Sequence, residues 1–196
     1  MIILRPPYSE EKIRALHVGN QVEICGPLFT GRDAVHKYLH EGGKIPISLK
    51  NQILYHCGPV MVKEKVGWVT KAAGPTTSIR EEPYQAEIIE KFGIRAVIGK
   101  GGMGQKTLQA CQKFGCVYLH AVGGAAQVLA RSVKRIPAVY LLKKFGVPEA
   151  IWKFEVENFS AIVTMDSHGK SLHEGIMAES KKKLEEIFLS LTAGKQ

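Results

Sequence analysis

Short apolar runs alternate with amphipathic stretches along this chain, and glycine or proline marks most of the boundaries. Leu16 to Cys25 has the spacing of a strand and stops at Gly26-Pro27, a turn signal. Thr30 to Glu41 has a helical period: Ala34, Val35, Tyr38 and Leu39 share a face, Thr30 stands at the N-cap position, and Gly42-Gly43 ends the run. Gln52 to His56 reads as a short strand stopped by Cys57-Gly58-Pro59. Val60-Met61-Val62 and Gly67-Trp68-Val69 read as a hairpin around Lys63-Glu64-Lys65. Pro83 to Phe92 is a helix with Gly93 as its stop. Arg95 to Gly99 is a buried strand that runs straight into a glycine-rich loop.

Thr107 to Phe114 is helical again, and Cys116 to His120 is the next strand. Ala121 to Ala126 forms a second loop of small residues, and Gln127 to Lys134 a further helix. Ala138–Leu142, Trp152–Val156 and Ala161–Met165 read as three strands, the last closing at Asp166-Ser167-His168-Gly169. Glu179 to Leu191 is a final helix with a lysine-rich outer face, inside a basic segment spanning 177–196. Strands alternating with helices between residues 83 and 135 predict βαβ units and a mostly parallel sheet, while the first third is richer in strand. The expected class is α/β: one domain over residues 1–196, with a mixed, partly parallel sheet and flanking helices.

Composition adjusts this picture little. Hydrophobic residues make up 45% and charged residues 23%, an ordinary globular balance. No apolar run approaches a membrane span. Met1 to Pro7 is broken by proline too soon for a signal sequence, so the expected location is the cytoplasm. Cys25, Cys57, Cys111 and Cys116 have no CxxC spacing and read as free thiols. The net charge of +9 admits a nucleic acid, an anionic substrate or an acidic partner. Much of the excess lies in Lys134-Arg135, Lys143-Lys144 and Lys181-Lys182-Lys183, helix-like stretches without interleaved aromatics. They read as solvated faces, and no nucleic-acid partner is expected.

The candidate chemistry is concentrated in loops. Gly74-Pro75-Thr76-Thr77-Ser78-Ile79-Arg80 sets hydroxyls and an arginine on one turn. Lys100 then opens Gly101-Gly102-Met103-Gly104. Backbone N–H groups of such a loop, with an arginine fork and a lysine point charge, make a cradle for a small dianion. A nucleotide P-loop is the lesser alternative for this loop, because Gln105 separates Gly104 from Lys106 and puts the lysine out of register. Arg32 stands at the start of a helix, where a cation opposes the dipole, which points to a ligand or partner. Thr30, Asp33 and the hydroxyl cluster also have a simpler reading as caps. Ser167-His168 reads as a turn, and His36 with His40 lacks any zinc pattern.

Five segments in order (Thr30–Lys37, Gly74–Arg80, Gly99–Gly104, Val122–Ala130 and Ile151–Gly169) resemble the β subunit of two-subunit class I fumarate hydratases. The same pattern forms the C-terminal domain of the single-chain enzymes, and L(+)-tartrate dehydratase β subunits are close relatives. The resemblance covers roughly residues 12–175. Its small-residue loop and Val156–Ala161 segment look more like fumarase than tartrate dehydratase. It implies a swivelling β/β/α domain and reversible hydration of fumarate to L-malate. It also implies a [4Fe-4S] cluster held by cysteines of a partner α subunit, with no metal ligand and no cluster in this chain alone. On the matched positions, Arg32, Arg80 and Lys100 would hold the carboxylates of a small dicarboxylate. Thr76 would be the catalytic base, with Thr77 beside it at the substrate.

Overall fold

The computed structural model describes residues 1–65 and 67–193. Along the chain run β1 (Ile2–Leu4), α1 (Glu10–Arg14), β2 (Gln21–Thr30), α2 (Asp33–His40), β3 (Ile53–Tyr55), β4 (Val60–Glu64) and β5 (Gly67–Ala72). A 3-10 turn, Ser78–Glu81, leads into α3 (Glu82–Phe92), β6 (Ala96–Gly99), α4 (Gln105–Phe114), β7 (Val117–His120) and α5 (Ala126–Arg131). The chain finishes with β8 (Val133–Tyr140), α6 (Leu142–Phe145), β9 (Ile151–Met165) and α7 (Leu172–Ala193).

The main sheet has the order β1-β2-β3-β6-β7-β9-β8, and β2 pairs with β9 as well. Five strands, β2, β3, β6, β7 and β9, therefore close into a ring. β2, β3, β6 and β7 run parallel, and β9 is antiparallel to both of its ring neighbours. The mixed, partly parallel α/β sheet read from the sequence is what forms.

Alternation explains why the ring strands read as continuous apolar runs. Ile53 and Tyr55 of β3, Ala96 and Ile98 of β6, and Val117 and Leu119 of β7 join one buried cluster with Ile24, Leu28, Trp152, Phe154 and Phe159. Their neighbours Leu54, Val97 and Tyr118 join a second cluster with Val35, Leu39, Ile88, Ile89 and Leu108 of the helices. Successive residues of a strand face opposite sides, so these strands are covered on both. The β4–β5 hairpin supplies Met61 and Trp68 to the first cluster.

Several expectations change. The strand expected at Leu16–Cys25 is β2, shifted to Gln21–Thr30. Thr30 ends that strand and caps nothing: its hydroxyl donates to the Ala150 carbonyl (3.1 Å) and accepts from the Trp152 amide (2.9 Å). Trp152–Val156 and Ala161–Met165 are one strand, β9, because Asn158 bulges inside it with a φ of 53°. Lys134 and Arg135 lie in strand β8, where edge charges are normal, and not in a helix. α7 starts at Leu172, earlier than expected, and residues 194–196 of the expected basic segment lie outside the described residues. Gly93 does end α3, at a φ of 63°. No helix among the described residues is long and apolar enough to cross a membrane.

Candidate functional site

Because β2, β3, β6 and β7 are parallel, the segments that follow them emerge at one edge of the ring. In open parallel sheets, ligands bind outside the carboxyl ends of strands. Arg32 follows β2, His56–Gly58 follow β3, Lys100 follows β6 and Ala121–Ala125 follow β7. The segment after β5 is stitched into the same edge. The Thr76 amide donates to the His56 carbonyl (2.7 Å), the Lys100 amide to the Thr76 carbonyl (3.2 Å), and the Ser78 amide to the Lys100 carbonyl (3.0 Å). Thr77 forms a parallel bridge with Lys100.

Of the expected site residues, the structure joins Thr76, Thr77 and Lys100 through their backbones. It joins Arg32 and Arg80 through a shared carboxylate. Arg80 Nη2 lies 2.8 Å from Asp33 Oδ2, and Arg32 Nε lies 3.4 Å from the same oxygen. Arg32 Nε also lies 2.7 Å from Glu149 Oε1. Glu149 accepts from the Ala34 amide at 3.1 Å, so a distant carboxylate offsets the arginine at the first turn of α2. Lys100 passes the small-residue loop: a Cβ on Gly123 would sit 3.5 Å from its Cδ. Thr76 is half-buried and Thr77 exposed, and Thr77 makes no side-chain cap bond at the 3-10 turn. The capping reading of this hydroxyl cluster is therefore wrong for Thr77.

Two glycines are dictated by close approach. A Cβ on Gly99 would fall 1.8 Å from Ser78 Oγ, so only glycine lets the hydroxyl segment press against β6. A Cβ on Gly58 would fall 2.9 Å from the Pro148 carbonyl oxygen and 2.6 Å from Arg32 Nη1, and the backbone oxygen cannot swing aside. Behind the glycine loop, Glu82 holds the start of α4. It accepts from the Gly104 amide (2.8 Å) and from the Thr107 hydroxyl.

Sequence reasoning missed the polar groups buried beneath this edge. Glu81 is fully buried, neither carboxylate oxygen has a hydrogen-bond partner, and burial pushes its acid up to about 7. Asp33 and Glu149 add to that rise, and Arg80 and Arg32 oppose it. His36, His56, Ser78 and Gln85 are also fully buried, and burial drives both imidazoles below their ordinary range. One signal was available: Glu81, Gln85, Ile88 and Ile89 recur at helical spacing and form a single stripe. His168 is structural, as expected: its Nε2 bonds the Arg14 carbonyl (2.8 Å), and its amide donates to Asp166 Oδ1 (2.9 Å).

The cysteines do not fit an iron–sulfur cluster. Cys25, Cys57, Cys111 and Cys116 are buried free thiols. A cluster binds thiolates, yet burial pushes Cys57 up to about 12, and the hydrogen bond with Cys116, with burial added to it, raises Cys111. Among the described residues no group of three or more His, Cys, Asp or Glu could hold a metal ion. A concavity of about 760 Å³ lies at the opposite ends of β3 and β6, against Ile45, Ile47, Lys50 and Phe92, away from all of these loops.

A family model described as "Fumarase C-terminus" matches residues 1–176. The chain is 58% identical over 188 residues to a protein of Geobacillus stearothermophilus named "Putative fumarate hydratase class I", a match covering 95% of this chain and 36% of that protein. It is 41% identical over 185 residues to "Putative L(+)-tartrate dehydratase subunit beta" of Methanocaldococcus jannaschii, covering 92% of this chain and 95% of that one. It is 37% identical over 182 residues to "L(+)-tartrate dehydratase subunit beta" of Escherichia coli K12, covering 92% and 88%. The chain thus spans about a third of the fumarate hydratase relative and nearly the full length of the β subunits. The strand-end loops described above all fall within the matched residues, and on this basis the chain belongs to the Fumarase C-terminus family.

Proposed function

We propose that this chain is the β-type half of a hydro-lyase that interconverts L-malate and fumarate. The observation that carries the reading is the single strand edge bearing Arg32, Arg80, Lys100, Thr76 and Thr77. Two guanidinium groups and an ammonium suit the two carboxylates of a C4 dicarboxylate, and arginine's fork favours bidentate contact. Asp33 and Glu149 hold the arginines until substrate carboxylates take their place.

In the dehydration direction Thr76 Oγ1, as an alkoxide, takes the proton from the carbon beside one carboxylate. The C–H electron pair becomes the new double bond as the neighbouring C–O bond breaks and hydroxide departs. The proton now on Thr76 Oγ1 is passed through solvent to that hydroxide, which releases water and restores the alkoxide. A threonine alkoxide forms only where cations stabilise it. Lys100 and Arg80 flank the Thr76–Ser78 segment and supply that charge. The same cations stabilise the negative charge that builds on the carboxylate during proton removal.

The remaining groups come from a partner. Roughly two thirds of the fumarate hydratase relative lies outside the match, and the other two relatives are named as β subunits. The iron–sulfur cluster implied by the class I resemblance belongs to that partner, since this chain's thiols do not fit it. A second reading, an L(+)-tartrate dehydratase β subunit, is favoured by the end-to-end match with the β-subunit relatives. The higher identity to the fumarate hydratase favours the first. Co-expression with an α-type chain, anaerobic cluster reconstitution and parallel assays on L-malate and L-tartrate separate the two. Turnover of tartrate alone supports the second reading, and turnover of neither refutes both.

A further inference from the structure

Beneath the strand edge, five buried side chains form one continuous hydrogen-bonded line. His36 Nδ1 lies 3.0 Å from the Arg32 carbonyl, and His36 Nε2 lies 2.9 Å from the Gln85 side-chain amide. The same amide atom lies 2.9 Å from His56 Nε2, and His56 Nδ1 lies 2.9 Å from Ser78 Oγ. The Tyr118 hydroxyl donates to Ser78 Oγ at 2.8 Å.

The protons on this line follow from valence. A carbonyl only accepts, so His36 Nδ1 carries a hydrogen. Burial disfavours a second proton on that ring, which leaves Nε2 bare and in need of a donor. With the Gln85 oxygen between the rings, two acceptors would face each other while the amide NH2 is buried without an acceptor. Turning the amide by 180° keeps the same shape and removes both faults. Its NH2 then has two N–H groups for two ring nitrogens. His56 Nε2 accepts one of them, so His56 Nδ1 donates to Ser78. Ser78 Oγ then accepts from both His56 Nδ1 and Tyr118, so its own hydrogen and the amide oxygen are the groups without a partner, against two unpaired amide N–H groups and a pair of facing acceptors in the other orientation.

We propose that Gln85 is the positioning residue of this site: its NH2 donates to Nε2 of both His36 and His56, fixing each ring with its proton on Nδ1 and locking the Arg32 and Thr76–Ser78 segments in register. The catalytic part of the proposal rests on the hydro-lyase reading. The line touches two candidate site segments. Arg32 contributes its own carbonyl, and Ser78 sits between Thr77 and the Lys100 carbonyl to which its amide donates. His56 also holds Thr76 through its carbonyl. Gln85 touches no substrate and acts through its neighbours.

Two-bond ¹H–¹⁵N spectra of the labelled chain read each ring directly. A bare Nε2 and a protonated Nδ1 are expected on both histidines, unchanged between about pH 5.5 and about pH 8. A protonated Nε2 on His36, or either ring titrating in that window, overturns the proposal. Gln85→Glu keeps the shape but only accepts, so it forces an extra proton onto the cluster. The spectrum of His36 should become that of an imidazolium, and kcat/KM of the reconstituted complex should fall about 10²-fold from misplacement alone. A Gln85→Glu complex that keeps wild-type kcat/KM and its pH profile refutes the positioning role. If the variant does not fold, the wild-type nitrogen spectra decide the network. If the wild-type complex turns over neither malate nor tartrate, the function reading fails, while the spectra still test the tautomers.

Discussion

Replacing Glu81 by glutamine tests whether a buried carboxyl under the site is held in its acid form. Both its oxygens are buried without partners, and its acid is raised from 4.5 to about 7. Each tenfold change in proton affinity is worth about 1.4 kcal/mol, so the rise corresponds to about 3 kcal/mol at most. Arg80 and Arg32 oppose it, and the surroundings of a buried charge relax toward it. Halving the figure for that relaxation leaves about 1.5 kcal/mol. The sign follows from proton counting. Between 4.5 and about 7 the folded state binds more protons at Glu81 than the unfolded state, so stability falls as pH rises through this window. Below it both states are protonated, and the penalty vanishes. Glutamine carries no such penalty at any pH. Urea unfolding of wild type and Glu81→Gln at about pH 4 and about pH 8 reads the difference, with other groups cancelling between the two proteins. The variant should gain about 1.5 kcal/mol on wild type between the two pH values. A gain under about 0.3 kcal/mol, or a relative loss, would show that the arginines keep Glu81 ionised, and the reasoning from burial would be wrong.

Further outcomes are expected elsewhere. Thr76→Val in the reconstituted complex should lower kcat by about 10²–10⁴-fold with little change in KM; a variant keeping half of wild-type kcat would move the base to the partner chain. Arg80→Lys should instead raise KM, because the bidentate fork is lost, and an unchanged KM would remove Arg80 from the carboxylate site. The purified chain alone should be inactive and lack iron–sulfur absorbance, and a stoichiometric cluster on it would contradict the reading of its cysteines. Gly99→Ala, which drives a Cβ into Ser78 Oγ, should destabilise the chain by about 1–3 kcal/mol in thermal melts. An unchanged Tm would mean that the hydroxyl segment moves aside freely.

Much of the scaffold was legible because the signals are local. Gly93 as a stop, the β4–β5 hairpin, and the strand leading into Lys100-Gly101-Gly102 all follow from residues within a few positions of one another. Thr30 was misread because a threonine at a strand end and one at a helix start look alike, and its partners Ala150 and Trp152 lie far along the chain. β9 was divided because Asn158 carries a turn signal that the β2 partner absorbs as a bulge. Arg32 stood out as an odd choice at a helix start, and Arg80, Lys100 and Thr76 through the hydroxyl turn and glycine loop that carry them. Glu81, Gln85 and His56 did not, since a polar residue on a helix or at a strand end reads as solvated until the fold places neighbours over it.

The closed ring also bears on how the chain is made. Gln21 is synthesised well before its antiparallel partner Ile162, and the pairing of β2 on that flank waits for β9. While the ribosome works through the intervening residues, one flank of β2 has no mate, and an unpaired strand flank is a template for another chain. Contacts of such sequence separation also form slowly. A nascent or truncated chain ending before Met165 would therefore expose a sheet edge next to the unfinished loops. Truncations in this stretch should aggregate, not merely lose activity, because β9 is the strand that covers the open flank of β2.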